Sequence, residues 1–170
     1  MNAMSRSEAA TALGAESYES YIENLTGKLQ FFVGAFHIDP DSGRKCAFAR
    51  ALAVQFAELG ECYLSFAQWD VWEFAEDFDL FDGYRKSLGI DRSIEEAPVH
   101  LLQVADEKRL RSLLSLGLFF VWDVTVFSRS ETLLAKFSHD EWMEFYASTS
   151  ALQSEVRGIL NYYKMRPLSP

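Results

Sequence analysis

Two apolar runs joined by four polar residues constrain the fold of this chain more than any other feature. The runs are LFFVWDVTVF at 118–127 and TLLAKFS at 132–138, and they flank Ser-Arg-Ser-Glu at 128–131. Runs rich in β-branched and aromatic residues on either side of a short polar segment are typical of a β-hairpin. The sequence therefore predicts an antiparallel pair of strands, to which the rest of the fold must be added.

Around the hairpin, the chain alternates between short apolar runs and helical stripes. Apolar residues recur every three or four positions between Asp39-Pro40 and Gly60, which predicts a long helix with Asp39 as its N-cap. Ser138 and Glu141 have the spacing of a capping box, which predicts a helix start. Further elements are predicted as strands over 29–38, 62–68 and 98–104, and as helices over 16–26, 106–117, 139–147 and 151–163. The predicted fold is a single α+β domain, with a mixed sheet of four to five strands, including the C-terminal hairpin, packed by five or six helices.

Length and composition agree with one folded domain. The chain has 170 residues, of which 49% are hydrophobic and 24% charged, and this is enough to bury a core. Small polar residues at 1–14 predict a disordered N-terminal segment, which leaves a globular domain over 15–165. We expect no signal peptide and no membrane span. Cys46 and Cys62 lie in apolar stretches and are expected to be free thiols in a reducing compartment, which predicts a cytoplasmic protein.

The net charge narrows the classes of partner. The chain has 16 Lys and Arg against 25 Asp and Glu, a formal charge of -9. Phosphate binding needs a basic face, so we expect neither general nucleic-acid binding nor docking on anionic membranes. An acidic protein of this size either uses its charge for solubility or presents it to a basic partner.

Much of the acidity is concentrated in residues 69–82 (WDVWEFAEDFDLFD), which we call the acidic-aromatic segment. Carboxylates beside tryptophan rings are suited to a basic protein partner, because the acids pair with Lys and Arg while the rings supply anchor area. The candidate partner-binding residues are Trp69, Asp70, Trp72, Glu73, Glu76, Asp77 and Asp79. The alternative is a solvated amphipathic helix whose tryptophans belong to the core. The spacing of these acids does not match an EF-hand loop, and we expect no metal.

Asp123 lies inside the apolar run of the first hairpin strand, where an unpaired carboxylate would be costly. A symmetric turn centred between Arg129 and Ser130 would place Asp123 opposite Lys136, which predicts a cross-strand ion pair. The alternative is a general base in a pocket that also contains His100 and aromatic walls.

The remaining motifs do not indicate an enzyme. Ser138, His139 and Asp140 are adjacent, and neighbouring side chains cannot line up the hydrogen bonds of a catalytic triad. The three histidines lack metal-ligand spacing, and the chain contains no phosphate-binding glycine motif and no nucleophile elbow. We therefore expect no cofactor.

The strand-borne Trp122-Asp123 and the run from Ser138 to Trp142 (SHDEW) carry a resemblance to a known class of protein. Over residues 98–146 the chain resembles small bacterial immunity proteins of toxin–immunity pairs. The resemblance implies a cytoplasmic, acidic, single-domain inhibitor that covers the basic active site of a nuclease or similar toxin. It implies no catalytic residue, because such proteins bind rather than catalyse.

Three hypotheses of function follow from these features. The first is a non-enzymatic acidic protein that binds a basic protein partner, such as a toxin domain, through the acidic-aromatic segment. The second is an enzyme or small-molecule-binding protein with a pocket around Asp123 and His100. The third is a homo-oligomeric structural protein whose surplus aromatic residues form the interface between copies.

Overall fold

The computed structural model describes residues 1–39, 41–68 and 75–168, with the backbone alone for residues 75 and 76. Six α-helices lie within this part of the chain: α1 (Arg6–Leu13), α2 (Tyr18–Lys28), α3 (Ser42–Glu58), α4 (Ala75–Ser87), α5 (Glu107–Phe120) and α6 (Ser150–Tyr162). A short 3-10 helix at Val104–Asp106 precedes α5. The strands are β1 (Asn2–Met4), β2 (Phe31–His37), β3 (Cys62–Ala67), β4 (Val99–Leu102), β5 (Asp123–Ser128), β6 (Leu133–Phe137) and β7 (Trp142–Ala147).

The strands form one open sheet in the order β1-β4-β3-β5-β6-β7-β2. Every neighbouring pair is antiparallel. The predicted α+β class, the single domain and the number of helices are confirmed within the described residues. The sheet differs from the prediction in having seven strands rather than four to five, and in being antiparallel rather than mixed.

The predicted hairpin is present as β5 and β6, but its register is shifted. Phe127 lies opposite Leu134, so the turn is centred between Ser130 and Glu131. The Ser128 hydroxyl accepts hydrogen bonds from the backbone N–H of Thr132 (2.9 Å) and of Leu133 (3.1 Å), which fixes this turn. The first strand also begins later than predicted, because α5 continues to Phe120.

Residues 139–147, predicted as a helix, contain strand β7 instead. Met143, Phe145 and Ala147 are buried and alternate with half-buried neighbours, which is the period of a strand with one face in the core. Ser138 does not cap a helix. Its hydroxyl accepts from the backbone N–H of Asp140 (3.2 Å) in the turn between β6 and β7.

Two expectations near the other end of the chain also differ from the structure. Residues 1–14, for which we expected disorder, instead contain β1 and α1, and α1 begins with a capping box between Ser5 and Glu8. The N-cap of α3 is Asp41 rather than Asp39, because the Asp41 side chain accepts from the backbone N–H of Arg44 at 2.8 Å. Pro40 lies outside the described residues.

Helices cover the two faces of the sheet unequally. On the first face, α3, α4, α5 and α6 pack over apolar side chains from all the longer strands, and this is the larger core. On the second face, α1 and α2 pack over a smaller cluster that includes Tyr63, Val99, Phe127 and Leu134. These residues belong to β3, β4, β5 and β6, and Tyr146 of β7 packs against the edge of the cluster. The helices α1 and α2 therefore leave most of β7 and β2 uncovered on the second face. No helix in the described ranges is both long and apolar enough to span a bilayer.

A glycine sets how closely α5 approaches the sheet. A Cβ atom on Gly117 would lie 2.5 Å from Val124 Cγ2 and 3.2 Å from Phe66 Cε1, closer than packed side chains allow. We expect Gly117→Ala to lower the free energy of unfolding by about 1–3 kcal/mol, in spite of the better helix propensity of alanine. Gly158 in α6 is the matched control, because nothing lies within 4 Å of its added Cβ. Gly158→Ala should raise stability by about 0.5–1 kcal/mol in urea titrations. Equal effects at the two positions would contradict the close approach of α5.

Candidate functional site

The uncovered half of the second sheet face is the most distinctive surface of the described chain. The pairing register brings together on it side chains from four strands, since residues two apart in a strand share a face. We call this surface the open face and define it by Phe32, His37, Asp123, Thr125, Lys136, Trp142, Glu144 and Tyr146. The helix α6 packs on β7 and β2 through Leu152, Val156 and Leu160, and Phe48 of α3 contacts Phe145 of β7. Both helices lie on the other side of the sheet. On the open face Phe32 and His37 are exposed, and the other side chains are half-buried.

Aromatic rings and charges contact one another across the open face. The rings of Phe32 and Tyr146 have centroids 5.2 Å apart, and Phe32 is 50% exposed. The Lys136 ammonium lies over the Tyr146 ring, 5.6 Å from its centroid. The Tyr146 hydroxyl donates to a Glu144 oxygen at 2.8 Å, and burial together with this carboxylate raises the pKa of Tyr146 to about 12. Tyr146 is thus a neutral hydrogen-bond donor at physiological pH.

Asp123 is not paired with Lys136 as predicted. The register places Thr125 opposite Lys136, because the hairpin turn is centred one residue later than a symmetric turn between Arg129 and Ser130 would be. The Asp123 carboxylate instead accepts two hydrogen bonds from His139, one from its backbone N–H (2.7 Å) and one from its ring Nδ1 (2.9 Å). This contact leaves Nε2 of His139 facing Asp140, 3.6 Å away. Asp123 therefore ties the turn between β6 and β7 to the start of β5.

A groove separates the open face from α1 and α2. It has a volume of about 350 Å³. Its walls are Arg6, Tyr18, Glu19, Ile22 and Glu23 on the helical side and Ser65, Ala67, Thr125 and Lys136 on the sheet. The groove is within the size range of small-ligand pockets, but it is open and continuous with the sheet surface.

His100 cannot share a pocket with Asp123. His100 pairs with Leu64 on the core side of the sheet, whereas Asp123 pairs with Ala67 on the second face. The His100 ring is fully buried beside Phe66, and in the described part of the chain neither ring nitrogen forms a hydrogen bond. Burial, and then the nearby Arg85 charge, lower the pKa of His100 to about 3, so the ring is neutral. The predicted pocket around both residues is therefore not formed.

Arg85 is the buried charge nearest to this part of the core. It is fully buried in α4, and one guanidinium nitrogen donates to the carbonyl oxygen of Ala97 at 2.7 Å. A second nitrogen lies 3.5 Å from the Asp82 carboxylate. The hydrogen bond to Ala97 holds α4 to the loop before β4, which is a structural role.

Most of the predicted partner-binding residues lie outside the described residues. This holds for Trp69, Asp70, Trp72 and Glu73, and for the side chain of Glu76. In α4, Asp77 is half-buried and Asp79 is exposed. The second half of the segment lies in α4, where Phe78 and Phe81 contact Trp122 with ring centroids 5.6 and 5.1 Å apart. These contacts place α4 on the first sheet face, away from the open face.

The sequence does not predict that residues of β7 belong to a sheet surface, because residues 139–147 are predicted as a helix. The signal that distinguishes a strand here is the alternation of Met143, Phe145 and Ala147 with Trp142, Glu144 and Tyr146. A capping-box spacing at Ser138 and Glu141 competes with that alternation and favours the wrong element.

In the described ranges, no cluster of three or more His, Cys, Asp or Glu side chains is arranged to hold a metal ion. Comparisons with protein-family models, with curated proteins and with solved structures found no match. The surfaces of this chain are therefore the basis for the function proposed below.

Proposed function

We propose that this is a non-enzymatic acidic protein that binds a basic protein partner, and that the open face is its contact surface. The observation that supports the proposal is an antiparallel sheet half that carries exposed and half-buried aromatic and charged side chains and no covering helix in the described chain. An inhibitor that covers the basic active site of a toxin, as an immunity protein does, is the specific form of this function that we propose.

The aromatic residues of the open face suit a protein interface. Trp and Tyr dominate binding energy at interfaces because they bury a large area at a low cost in side-chain entropy. Trp142 and Tyr146 are half-buried on rigid strand β7, and Phe32 projects from β2 beside Tyr146. Such an arrangement is already ordered before a partner arrives, which lowers the entropic cost of binding.

The charges on and around the open face favour a basic partner. Glu19 and Glu23 line the adjacent groove from α2, and Asp140 and Glu141 are exposed in the turn before β7. Together with Asp123 and Glu144 these acids outnumber the bases Arg6, Lys136, Lys164 and Arg166, of which the last two lie beside His37. Complementary charge at the rim of an interface steers association and selects against acidic partners.

Capture from an extract of the cells that make the protein tests the proposal. Tagged wild type and the variant Phe32→Ser/Trp142→Ser/Glu144→Gln are each used as bait, and bound proteins are quantified by mass spectrometry. We expect one protein with a basic surface to be enriched by the wild type and lost from the variant. Enrichment of the same proteins by both baits would contradict the open face as the binding surface.

The homo-oligomer hypothesis has a separate outcome in the same design. If the partner is a second copy of this chain, sedimentation of the pure protein will show a dimer that the triple variant dissociates. We expect the pure wild-type protein to sediment as a monomer.

A further inference from the structure

We propose that a groove between α3 and α5 binds a small phosphorylated ligand with an attached ring, such as a mononucleotide. The groove has a volume of about 620 Å³ and lies against α4. It is lined by Gly43, Cys46, Ala47 and Arg50 of α3, by Tyr84 of α4, and by Arg111, Ser112, Ser115 and Leu116 of α5. It lies on the first face of the sheet, so this site is separate from the open face.

The groove is basic although the protein is acidic. Arg50 and Arg111 line the groove, and none of its described lining residues is an acid, in a chain whose net charge is -9. A local excess of positive charge against the overall balance raises the local concentration of anions. The negative net charge of the whole chain gives no indication of this local positive charge.

Two arginines of the groove are unpaired within the described residues. Arg44 pairs with Asp39 and Arg109 pairs with Asp106, at 2.9 and 2.6 Å, whereas Arg50 and Arg111 form no ion pair with a described carboxylate. Guanidinium groups bind phosphate oxygens with two parallel hydrogen bonds, which makes Arg the preferred residue for phosphate recognition. Arg50 and Arg111 come from different helices, so an anion between them would be held from two sides.

The other walls of the groove suit a ring rather than a second charge. Ala47 and Leu116 supply apolar surface, and Tyr84 supplies an aromatic ring at one side. The hydroxyls of Ser112 and Ser115 donate to the carbonyl oxygens of Lys108 and Arg111, so their oxygens remain as acceptors for ligand amino groups. A volume near 600 Å³ is typical of sites for small organic ligands and larger than inorganic phosphate requires.

The thiol of Cys46 can report on whether this groove is occupied. Cys46 is exposed and lines the groove, whereas Cys62 is buried and its pKa is raised to about 12 by burial. Because the thiolate is the reactive form, alkylation at neutral pH should be confined to Cys46. A ligand in the groove should protect that thiol.

The test is alkylation of Cys46 by a maleimide, followed by mass spectrometry, together with titration calorimetry. The probes are adenosine monophosphate, adenosine and inorganic phosphate. We expect adenosine monophosphate to bind saturably and to slow alkylation of Cys46, and each of the other probes to bind at least about tenfold more weakly. Absence of saturable binding up to about 10 mM adenosine monophosphate would overturn the proposal. Equal binding of inorganic phosphate would overturn the part that assigns a ring to the ligand.

Matched variants separate a specific site from general attraction of anions. Arg50→Gln and Arg111→Gln should each weaken binding of adenosine monophosphate at least about tenfold, because each removes a charged hydrogen-bond donor to phosphate. Lys108→Gln removes one charge from α5 without altering the groove lining, and should change binding less than about twofold. An equal loss in all three variants would show that net charge alone attracts the anion and would overturn the site. All three side chains are partly or fully exposed, so the variants should fold.

Discussion

Replacing Trp122 with alanine is expected to lower the free energy of unfolding by about 3–5 kcal/mol, whereas Trp142→Ala should lower it by less than about 1 kcal/mol. The difference follows from burial. Trp122 is 2% exposed, and Trp142 is half-buried on the open face. Urea titrations of both variants and the wild type measure the two losses.

The contacts of Trp122 explain the size of this effect. Its ring contacts Phe66, Phe78, Phe81 and Phe120, with centroids between 4.9 and 5.9 Å apart. Trp122 therefore joins β3, α4 and the end of α5 in the larger core, and its removal leaves a cavity among rigid rings. Similar losses for the two tryptophans would contradict the assignment of Trp142 to an exposed binding surface.

A second large effect is expected on the free energy of unfolding at acidic pH, and it comes from His100. The pKa of His100 is about 3 in the folded chain, against an ordinary value of 6.5 in an unfolded one, because burial and the Arg85 charge oppose protonation. The unfolded state therefore binds the extra proton first. The stability contributed by neutral His100 is complete above pH 6.5 and declines as the pH falls below that value. Between pH 8 and pH 5 this single group should lower the free energy of unfolding by about 2 kcal/mol.

The variant His100→Leu should remove this decline. Leucine is a buried apolar replacement with no atom to protonate, so we expect a change of less than about 1.5 kcal/mol at pH 8 and a higher stability than the wild type at pH 5. His37→Leu is the control, because His37 is exposed and its variant should follow the wild-type profile. Urea titrations at pH 5, 6, 7 and 8 provide the measurement, and this window lies above the ordinary pKa of the carboxyl groups. An unchanged decline in His100→Leu would assign the acid sensitivity to another group.

The sequence predicts those parts of the fold whose local signals agree with their tertiary surroundings. The stripe after Gly43 and the apolar run at 62–68 have the period of the element that they form, so α3 and β3 lie close to their predicted positions. The hairpin of β5 and β6 is predicted for the same reason. Its predicted register is wrong because the prediction assumes a turn that is symmetric about Arg129 and Ser130. The hydrogen bonds to the Ser128 hydroxyl instead centre the turn one residue later.

Where two local signals conflict, tertiary packing decides the outcome. The Ser138–Glu141 spacing favours a helix, but Met143 and Phe145 are buried in the larger core at alternate positions, which is the pattern of a strand. The open face was therefore not predictable as a surface, because it depends on β2 pairing with β7 over more than a hundred residues of intervening chain. The basic groove was not predictable for the same reason. Arg50 and Arg111 are distant in sequence, and they line one groove only because α3 packs on α5.

The most direct test of the open face compares how tightly two variants of the chain bind the same captured partner. The first variant is Phe32→Ser/Trp142→Ser/Glu144→Gln, and the second is Asp70→Lys/Glu73→Lys/Asp79→Lys, which reverses charges of the acidic-aromatic segment. Titration calorimetry with the purified partner gives the dissociation constant of each chain, and melting curves check that both variants fold. We predict that the open-face variant binds at least about 30-fold more weakly than the wild type, and that the segment variant stays within about threefold of it. The opposite ranking would contradict the open face and assign binding to the acidic-aromatic segment.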